Sequence, residues 1–162
     1  MLKKTLWSTA FLFLSVNTLF AASLPERQID ELVNRYFTAW TTHSIAEIGK
    51  FYADDIALYD LPADFTIKGR QAVLKYEQQA WLAAVPDMLW LKTSSIFIRG
   101  NTAAYEWLYS GTYSGRWWGK EVVKKTFSIR GISTTRFNEA GKIVFQKDFY
   151  DMNSFATQLG VQ

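Results

Sequence analysis

The chain has 162 residues, of which 49% are hydrophobic and 17% aromatic, a composition typical of a globular domain rather than a disordered or fibrous chain. Its formal net charge is only +3, so the concentrated basic surface of a nucleic-acid-binding protein is not indicated. It contains no cysteine, which excludes a disulfide framework and means that the fold depends on packing alone.

The N-terminal segment has the pattern of an export signal. MLKK supplies positive charge, residues 5–20 are largely apolar, and Ala21-Ala22-Ser23 offers the small residues that signal peptidases accept. The apolar run of 16 residues is shorter than the roughly 20 that a membrane-spanning helix needs, with a retained anchor as the alternative interpretation. The absence of cysteine excludes lipoprotein attachment.

We therefore predict a cleaved signal peptide at residues 1–22 and one domain at residues 23–162, periplasmic or secreted and without membrane attachment. Loss of Lys3 and Lys4 lowers the net charge from +3 to +1, which removes any remaining indication of a nucleic-acid partner. The remaining length is a usual size for one domain with one core.

The first half of the mature chain predicts helices. Residues 25–43 carry apolar side chains at three- and four-residue steps, the pattern of a helix with one buried stripe: Ile29, Leu32, Val33, Tyr36, Phe37 and Trp40. Ser44 and Glu47 form a capping box that opens a short second helix. A third helix is predicted at residues 70–84, with Val73, Leu74 and Trp81 on its apolar face.

Strands occupy most of the rest. They are predicted at residues 56–60, 65–67, 89–97, 102–114, 120–137 and 142–150, separated by turn residues. The longest are long for strands, and Gly111 or Gly131 is expected to mark a bulge where the sheet bends. Helices followed by a run of strands indicate an α+β domain, in which a curved antiparallel sheet wraps around N-terminal helices and encloses a cone-shaped cavity.

This order of elements and several motifs resemble the SnoaL-like polyketide cyclases of the NTF2-like superfamily. The motifs are ELVNRYFTAW, FYADDI, IKGR, IRGIS and GKIVFQKDFYD followed by QLG, and the resemblance covers residues 24–160. It implies the NTF2-like cone. Because this scaffold carries isomerases, cyclases, hydrolases and silent binders, it implies the fold more strongly than any one reaction.

Asp148 is the candidate catalytic residue. In the cyclases that this chain resembles, the aspartate at this spacing after GKI is the general acid/base, and it works without metal or cofactor. A carboxylate needs partial removal from water to become a strong enough base, and Phe149 and Tyr150 are close in sequence. Lys147 should point to the opposite face. The alternative is a structural carboxylate bound by backbone N–H groups or by an arginine.

The resemblance also shows a departure. Where those cyclases carry a histidine on the neighbouring strand, this chain has Ser133, which can donate a hydrogen bond but cannot carry a proton near neutral pH.

Asp60 is a second candidate carboxylate, since it shares one strand face with Ile56 and Leu58. The alternative for Asp60 is a turn role before Pro62.

Further residues are predicted to bind the ligand. Trp107, Tyr109 and Tyr113 share one strand phase and would form a ring-lined wall, although such rings are equally typical of a core or a subunit interface. Ser133, Phe127 and Tyr150 are the other predicted ligand-binding residues besides Arg130. Arg130 is a candidate for stabilising an enolate, but it lies on the strand face opposite to Ser133 unless a bulge intervenes.

No cofactor or metal is expected. A single histidine, His43, and no cysteine argue against a zinc site or a catalytic triad, and no calcium-loop spacing is present. The sequence predicts a homodimeric domain that binds a small, largely apolar carbonyl compound. It leaves open whether this compound undergoes cofactor-free isomerase or cyclase chemistry. The alternative is a non-enzymatic ligand-binding or dimerising domain.

Overall fold

The computed structural model describes residues 23–161, and the predicted signal peptide lies outside them. Within that range the helices are α1 (Glu26–Thr41), α2 (Ile45–Gly49), α3 (Arg70–Glu77) and α4 (Met152–Leu159). The strands are β1 (Tyr52–Asp60), β2 (Phe65–Lys68), β3 (Leu89–Lys92), β4 (Phe97–Arg99), β5 (Thr102–Trp117), β6 (Lys120–Phe137) and β7 (Ile143–Tyr150). None of the helices in residues 23–161 is long and apolar enough to cross a membrane.

The strands form one sheet in the order β2-β1-β7-β6-β5-β3, with β4 also paired to β5. All neighbours are antiparallel except β1 and β7, which run parallel. The α+β prediction is confirmed, but the sheet is mixed rather than wholly antiparallel. The parallel pair places the ends of β1 and β7 side by side, and this pair positions the candidate site.

The helical layer covers one face of the sheet. The stripe predicted for α1 is buried, including Ile29, Val33 and Tyr36, none of which is exposed to solvent. Ser44 accepts a hydrogen bond from the Glu47 amide and so caps α2, but the Glu47 side chain binds Lys50 and the Ser44 amide donates to Thr42, so only half of the predicted capping box forms. A large aromatic core fills the space between helices and sheet.

Several predicted boundaries were wrong. The predicted strand 89–97 is split into β3 and β4. Between them the Glu106 amide of β5 donates to the Ser94 side chain, which ends the backbone pairing of β3. The first strand begins at Tyr52 instead of residue 56, and α3 ends at Glu77, where a π-helical turn (Gln78–Leu82) continues it.

The bulge predicted at Gly111 or Gly131 lies elsewhere. Pairing between β5 and β6 is continuous through both glycines, and the register shifts between Tyr113 and Gly115. Gly131 is required for a different reason. A Cβ at this position would lie 2.2 Å from the Trp107 ring and 2.6 Å from the Phe149 carbonyl oxygen. Glycine therefore leaves room for the indole to lie across β6.

The last helix, α4, was not predicted from the sequence. Asp151 caps this helix by accepting from the Ser154 amide at 3.0 Å, and Gly160 ends it in the left-handed conformation with φ +73°. Phe155 on its inner face has no exposed surface. The helix thereby closes one end of the aromatic core.

The outer face of the sheet is partly apolar. Leu89 and Leu91 of β3 and Ile132 of β6 expose 54%, 45% and 45% of their surface. Large exposed hydrophobic side chains are compatible with a subunit contact. Homodimerisation nevertheless stays a prediction.

Candidate active site

A cavity of about 80 Å³ lies between the helical layer and the inner face of the sheet. This volume is enough for several water molecules. Its lining is mostly aromatic and apolar, with four polar exceptions. The lining residues are Trp40, Leu58, Asp60, Tyr76, Glu77, Trp81, Met88, Trp90, Trp107, Tyr109, Ile129, Gln146, Asp148 and Tyr150.

Three of the predicted site residues form one row across the sheet. Ser133 of β6 pairs with Asp148 of β7, and Asp148 pairs with Asp60 of the parallel strand β1. Side chains at paired positions point to the same face, so the hydroxyl and the two carboxyl groups come together on the inner face. Asp60 and Asp148 are 88 positions apart along the chain, and only the parallel pairing unites them.

Asp148 is held by two hydrogen-bond donors. Ser133 Oγ donates to Asp148 Oδ1 at 2.5 Å, and Gln146 Nε2 donates to Oδ1 at 3.1 Å and to Oδ2 at 3.3 Å. Burial raises the pKa of Asp148 from 3.8 to about 6, the nearby charge of Asp60 adds to this, and the two donors oppose it. Asp148 is therefore ionised at neutral pH, but it binds a proton more strongly than a free carboxylate does.

The serine is itself fixed from behind. Trp107 Nε1 donates to Ser133 Oγ at 2.8 Å, which leaves the serine proton for Asp148. The indole reaches Ser133 because it lies over Gly131, its partner in the β5–β6 register. Gly131 thus makes room for Trp107, which holds Ser133, and Ser133 in turn orients the Asp148 carboxylate.

Asp60 combines the two roles that the sequence left open. Its Oδ1 accepts from the Ala63 amide at 3.1 Å, a turn contact, while its Oδ2 accepts from the Tyr150 hydroxyl at 3.0 Å beside the cavity. Burial raises the pKa of Asp60, and these two donors oppose the shift. The side chain is 6% exposed.

The predicted ligand-binding residues divide into two groups. Trp107, Tyr109 and Tyr150 line the cavity. Phe127 is buried behind the wall, with its ring centroid 5.0 Å from that of Tyr109. Arg130 is exposed, since it points to the face opposite to Ser133, and the structure does not place it in the cavity. The expected bulge at Gly131 that would have turned Arg130 inward is absent, because the β5–β6 pairing is continuous through that residue.

Comparison with known families decides the assignment. The family model for SnoaL-like polyketide cyclases matches residues 30–159, most of the chain. The chain belongs to this family. The SnoaL-like assignment, made from motifs in the sequence, is thereby confirmed, together with the NTF2-like architecture. No curated protein matches the chain at a significant level.

Solved structures with the same fold are numerous. AclR from Streptomyces galilaeus, a candidate hydroxylase, is 22% identical, with 85% of this chain and 88% of that chain covered and a TM-score of 0.71. A candidate SnoaL-like polyketide cyclase from Shewanella denitrificans is 23% identical over 83% and 98% of the two chains, with a TM-score of 0.72. A protein with a ketosteroid isomerase-like fold from Catenulispora acidiphila, in complex with trimethylamine, is 20% identical over 82% and 94% of the two chains, with a TM-score of 0.68. At these identities the likeness shows the fold alone.

In this SnoaL-like domain Ser133 stands where the family resemblance predicts a histidine. The serine keeps the hydrogen bond to the catalytic-type aspartate but has no proton to exchange near neutral pH. The structure therefore gives Ser133 the role of orienting the Asp148 carboxylate.

We expect Ser133→Ala to move the titration of Asp148 to higher pH. The Ser133 donor stabilises the ionised form, so its removal raises the pKa of Asp148 above about 6. Carboxyl-carbon NMR titration measures the shift directly, and Ser128→Ala, an exposed serine on the same strand, is the matched control. An Asp148 titration equal in both variants would contradict the proposed orientation of the site.

Glu77 was not among the residues predicted from the sequence. This glutamate is 2% exposed and lines the cavity from α3. The signal was present, because Glu77 lies four residues after Val73 and four before Trp81, two residues assigned to the apolar face. An acid on a buried helical stripe is unusual enough to indicate a site.

The described residues offer no obvious metal centre. Among residues 23–161 no group of three or more His, Cys, Asp or Glu side chains is arranged to hold a metal ion. His43 closes the first helix, and its Nε2 lies 3.0 Å from the Met88 carbonyl oxygen. The absence of a cofactor stays a prediction.

Proposed function

We propose that this exported SnoaL-like domain is a cofactor-independent acid/base enzyme that enolises a small, largely apolar carbonyl compound. The observation that carries the proposal is Asp148, a carboxylate with a raised pKa in an aromatic cavity, oriented by Ser133 and Gln146. Burial, donors and a neighbouring acid are the features that tune a carboxyl group for proton abstraction. Isomerisation and aldol cyclisation both begin with this step.

The first proposed step transfers one proton from the bound compound to Asp148. The Asp148 carboxylate removes a proton from the carbon next to the carbonyl group, the C–H electron pair becomes the C=C bond of the enolate, and the C=O π pair moves to the carbonyl oxygen. The Tyr109 hydroxyl, buried and without a hydrogen-bond partner among residues 23–161, is available to donate to that oxygen. Burial raises the pKa of Tyr109, which keeps it a neutral donor.

The intermediate then has two outcomes. In an isomerase, protonated Asp148 returns the proton to a carbon atom of the enolate. In a cyclase, the enolate carbon attacks a second carbonyl group of the same molecule, and Asp148 gives its proton to the resulting alkoxide. Tyr150 and Asp60 form the adjacent wall in both cases.

The second candidate function is binding of a small organic cation without turnover. Four tryptophans and three carboxyl groups line the cavity, and no lysine, arginine or histidine among residues 23–161 does. Aromatic faces and carboxylates together are the groups that bind ammonium cations. The fold relative from Catenulispora acidiphila was solved with trimethylamine, which favours testing this ligand class. The small volume and the tryptophan-rich lining also suit a binding domain.

One pair of measurements separates the two functions. Cyclohexanone is incubated with the protein in D₂O, and NMR records deuterium incorporation next to the carbonyl group; an enzyme accelerates this exchange over buffer. Calorimetry with trimethylammonium chloride tests cation binding. Native mass spectrometry of protein purified from its own host then identifies the resident compound. Exchange at the buffer rate together with tight cation binding would reject the enzyme and support the binding domain.

A further inference from the structure

A buried chain of hydrogen bonds joins the helical layer to the cavity. The hydroxyl groups of Tyr36 on α1 and Tyr52 on β1 lie 2.6 Å apart, and Tyr52 donates to Glu77 Oε1 on α3. All three side chains are at most 3% exposed. Because Tyr52 uses its single proton on Glu77, the chain runs in one direction, from Tyr36 to Tyr52 to Glu77.

The other oxygen of Glu77 has no protein partner. Glu77 Oε2 is buried without a hydrogen bond to any of residues 23–161, and none of the ion pairs in that range involves Glu77. An ionised carboxylate left unpaired in such a site is strongly disfavoured. Protonation relieves the penalty, and since Oε1 accepts from Tyr52, the proton belongs on Oε2.

The electrostatic surroundings agree with a protonated Glu77. Burial raises its pKa to about 8, the charge of Asp148 on β7 contributes, and the hydrogen bond from Tyr52 opposes the shift. The other titratable groups that interact with Glu77 are Tyr36 on α1 and Tyr76 beside it on α3. Both are phenols whose pKa is raised by burial, so neither brings a charge at neutral pH.

We propose that Glu77 is the acid of this cavity: oriented by Tyr52 and protonated on Oε2, it donates a hydrogen bond, beside the one from Tyr109, to the carbonyl or enolate oxygen of the bound compound. This inference rests on the proposed function, because it needs a ligand with an accepting oxygen. The cavity then carries a base on the sheet wall, Asp148, and a neutral donor on the helix wall, Glu77. It selects compounds whose oxygen accepts a hydrogen bond, and it disfavours ammonium cations, whose N–H groups can only donate.

The pH dependence of the exchange rate follows from two carboxyl groups, Asp148 and Glu77, that must be in opposite protonation states. Asp148 must be ionised, so exchange rises as the pH increases through about 6. Glu77 must be protonated, so exchange falls as the pH increases through about 8. The expected profile is a bell with its maximum between these values.

Glu77→Gln tests the assignment, because glutamine keeps the acceptor for Tyr52 and offers a neutral N–H at the position of Oε2. We expect the variant to retain the rise near pH 6 and to lose the fall near pH 8 in cyclohexanone exchange. Glu77→Ala should lower the rate by about 10²–10³-fold, the usual effect of removing one such donor. Glu106→Gln, at an exposed glutamate on β5, should leave the bell unchanged.

A second readout does not depend on activity. In protein labelled at the glutamate carboxyl carbons, one NMR resonance should titrate near pH 8, persist in Glu106→Gln and be absent from Glu77→Gln. Tyr52→Phe should move that titration to still higher pH, since the Tyr52 donor stabilises the ionised form. If Glu77→Gln does not fold, the shifted titration in Tyr52→Phe tests the assignment instead.

The outcomes distinguish the inference from the function on which it rests. Glutamate resonances that all titrate below pH 7 overturn the inference whether or not exchange occurs. A fall near pH 8 that survives in Glu77→Gln also overturns it. If wild-type protein gives no exchange, the proposed function fails, and the NMR titration alone then decides whether Glu77 is a neutral donor.

Discussion

Asp148→Asn is expected to lower the rate of α-proton exchange by about 10²–10⁴-fold, the usual contribution of a positioned general base. The asparagine Oδ1 still accepts from Ser133, so the cavity keeps its shape while losing the group that binds the proton. The measurement is deuterium incorporation into cyclohexanone at pH 7, with circular dichroism as the check of folding. Asp55→Asn, at an exposed aspartate on β1, is the matched control.

The substitution should not reduce stability at pH 7. Because the pKa of Asp148 is raised in the folded state, its ionisation opposes folding, and this cost develops as the pH rises from about 4 through about 6. Asparagine carries no charge, so Asp148→Asn should melt at an equal or higher temperature than wild type at pH 7. An exchange rate within twofold of wild type, in a folded variant, would remove Asp148 from the mechanism.

Local sequence patterns predicted most of the helices and strands but not which strands pair with one another. The bounds of β6, residues 120–137, agree with the prediction because turn residues flank a long alternating run. The stripe of α1 was equally clear. The parallel pairing of β1 with β7 has no local signal, since it joins segments almost ninety positions apart.

The same distinction applies to the site. Asp148 and Ser133 were predicted from a family motif, and Asp60 from its strand phase, but nothing in the sequence placed the three in one row. Glu77 was overlooked because α3 was interpreted through its apolar residues alone. Arg130 was proposed on the chance of a bulge, and the regular β5–β6 register excludes it from the cavity.

The helix α4 supports the site by packing, although its sequence signals are too weak to predict this role. This helix is only eight residues long, and its signals are a capping aspartate, a terminal glycine and one large aromatic residue. Such a short pattern at the end of a chain does not predict where the helix docks. In the structure Phe155 inserts behind Trp81 and Tyr150, with ring centroids 6.4 and 6.5 Å away, so α4 supports two cavity-lining rings from behind.

Phe155→Ala is therefore expected to destabilise the protein by about 3–5 kcal/mol, the range for deleting a fully buried phenylalanine. Phe155 has no exposed surface, and its ring lies 4.8 Å from the rings of both Trp117 and Phe127, so truncation leaves a cavity that rigid neighbours cannot fill. Urea denaturation at neutral pH gives the free energy of unfolding. Phe97→Ala, at a side chain that is 71% exposed, should change it by less than about 0.5 kcal/mol. A loss below about 1 kcal/mol for Phe155→Ala would mean that α4 is not docked on the core, and the support it gives to Tyr150 and the Asp60 contact would be lost with it.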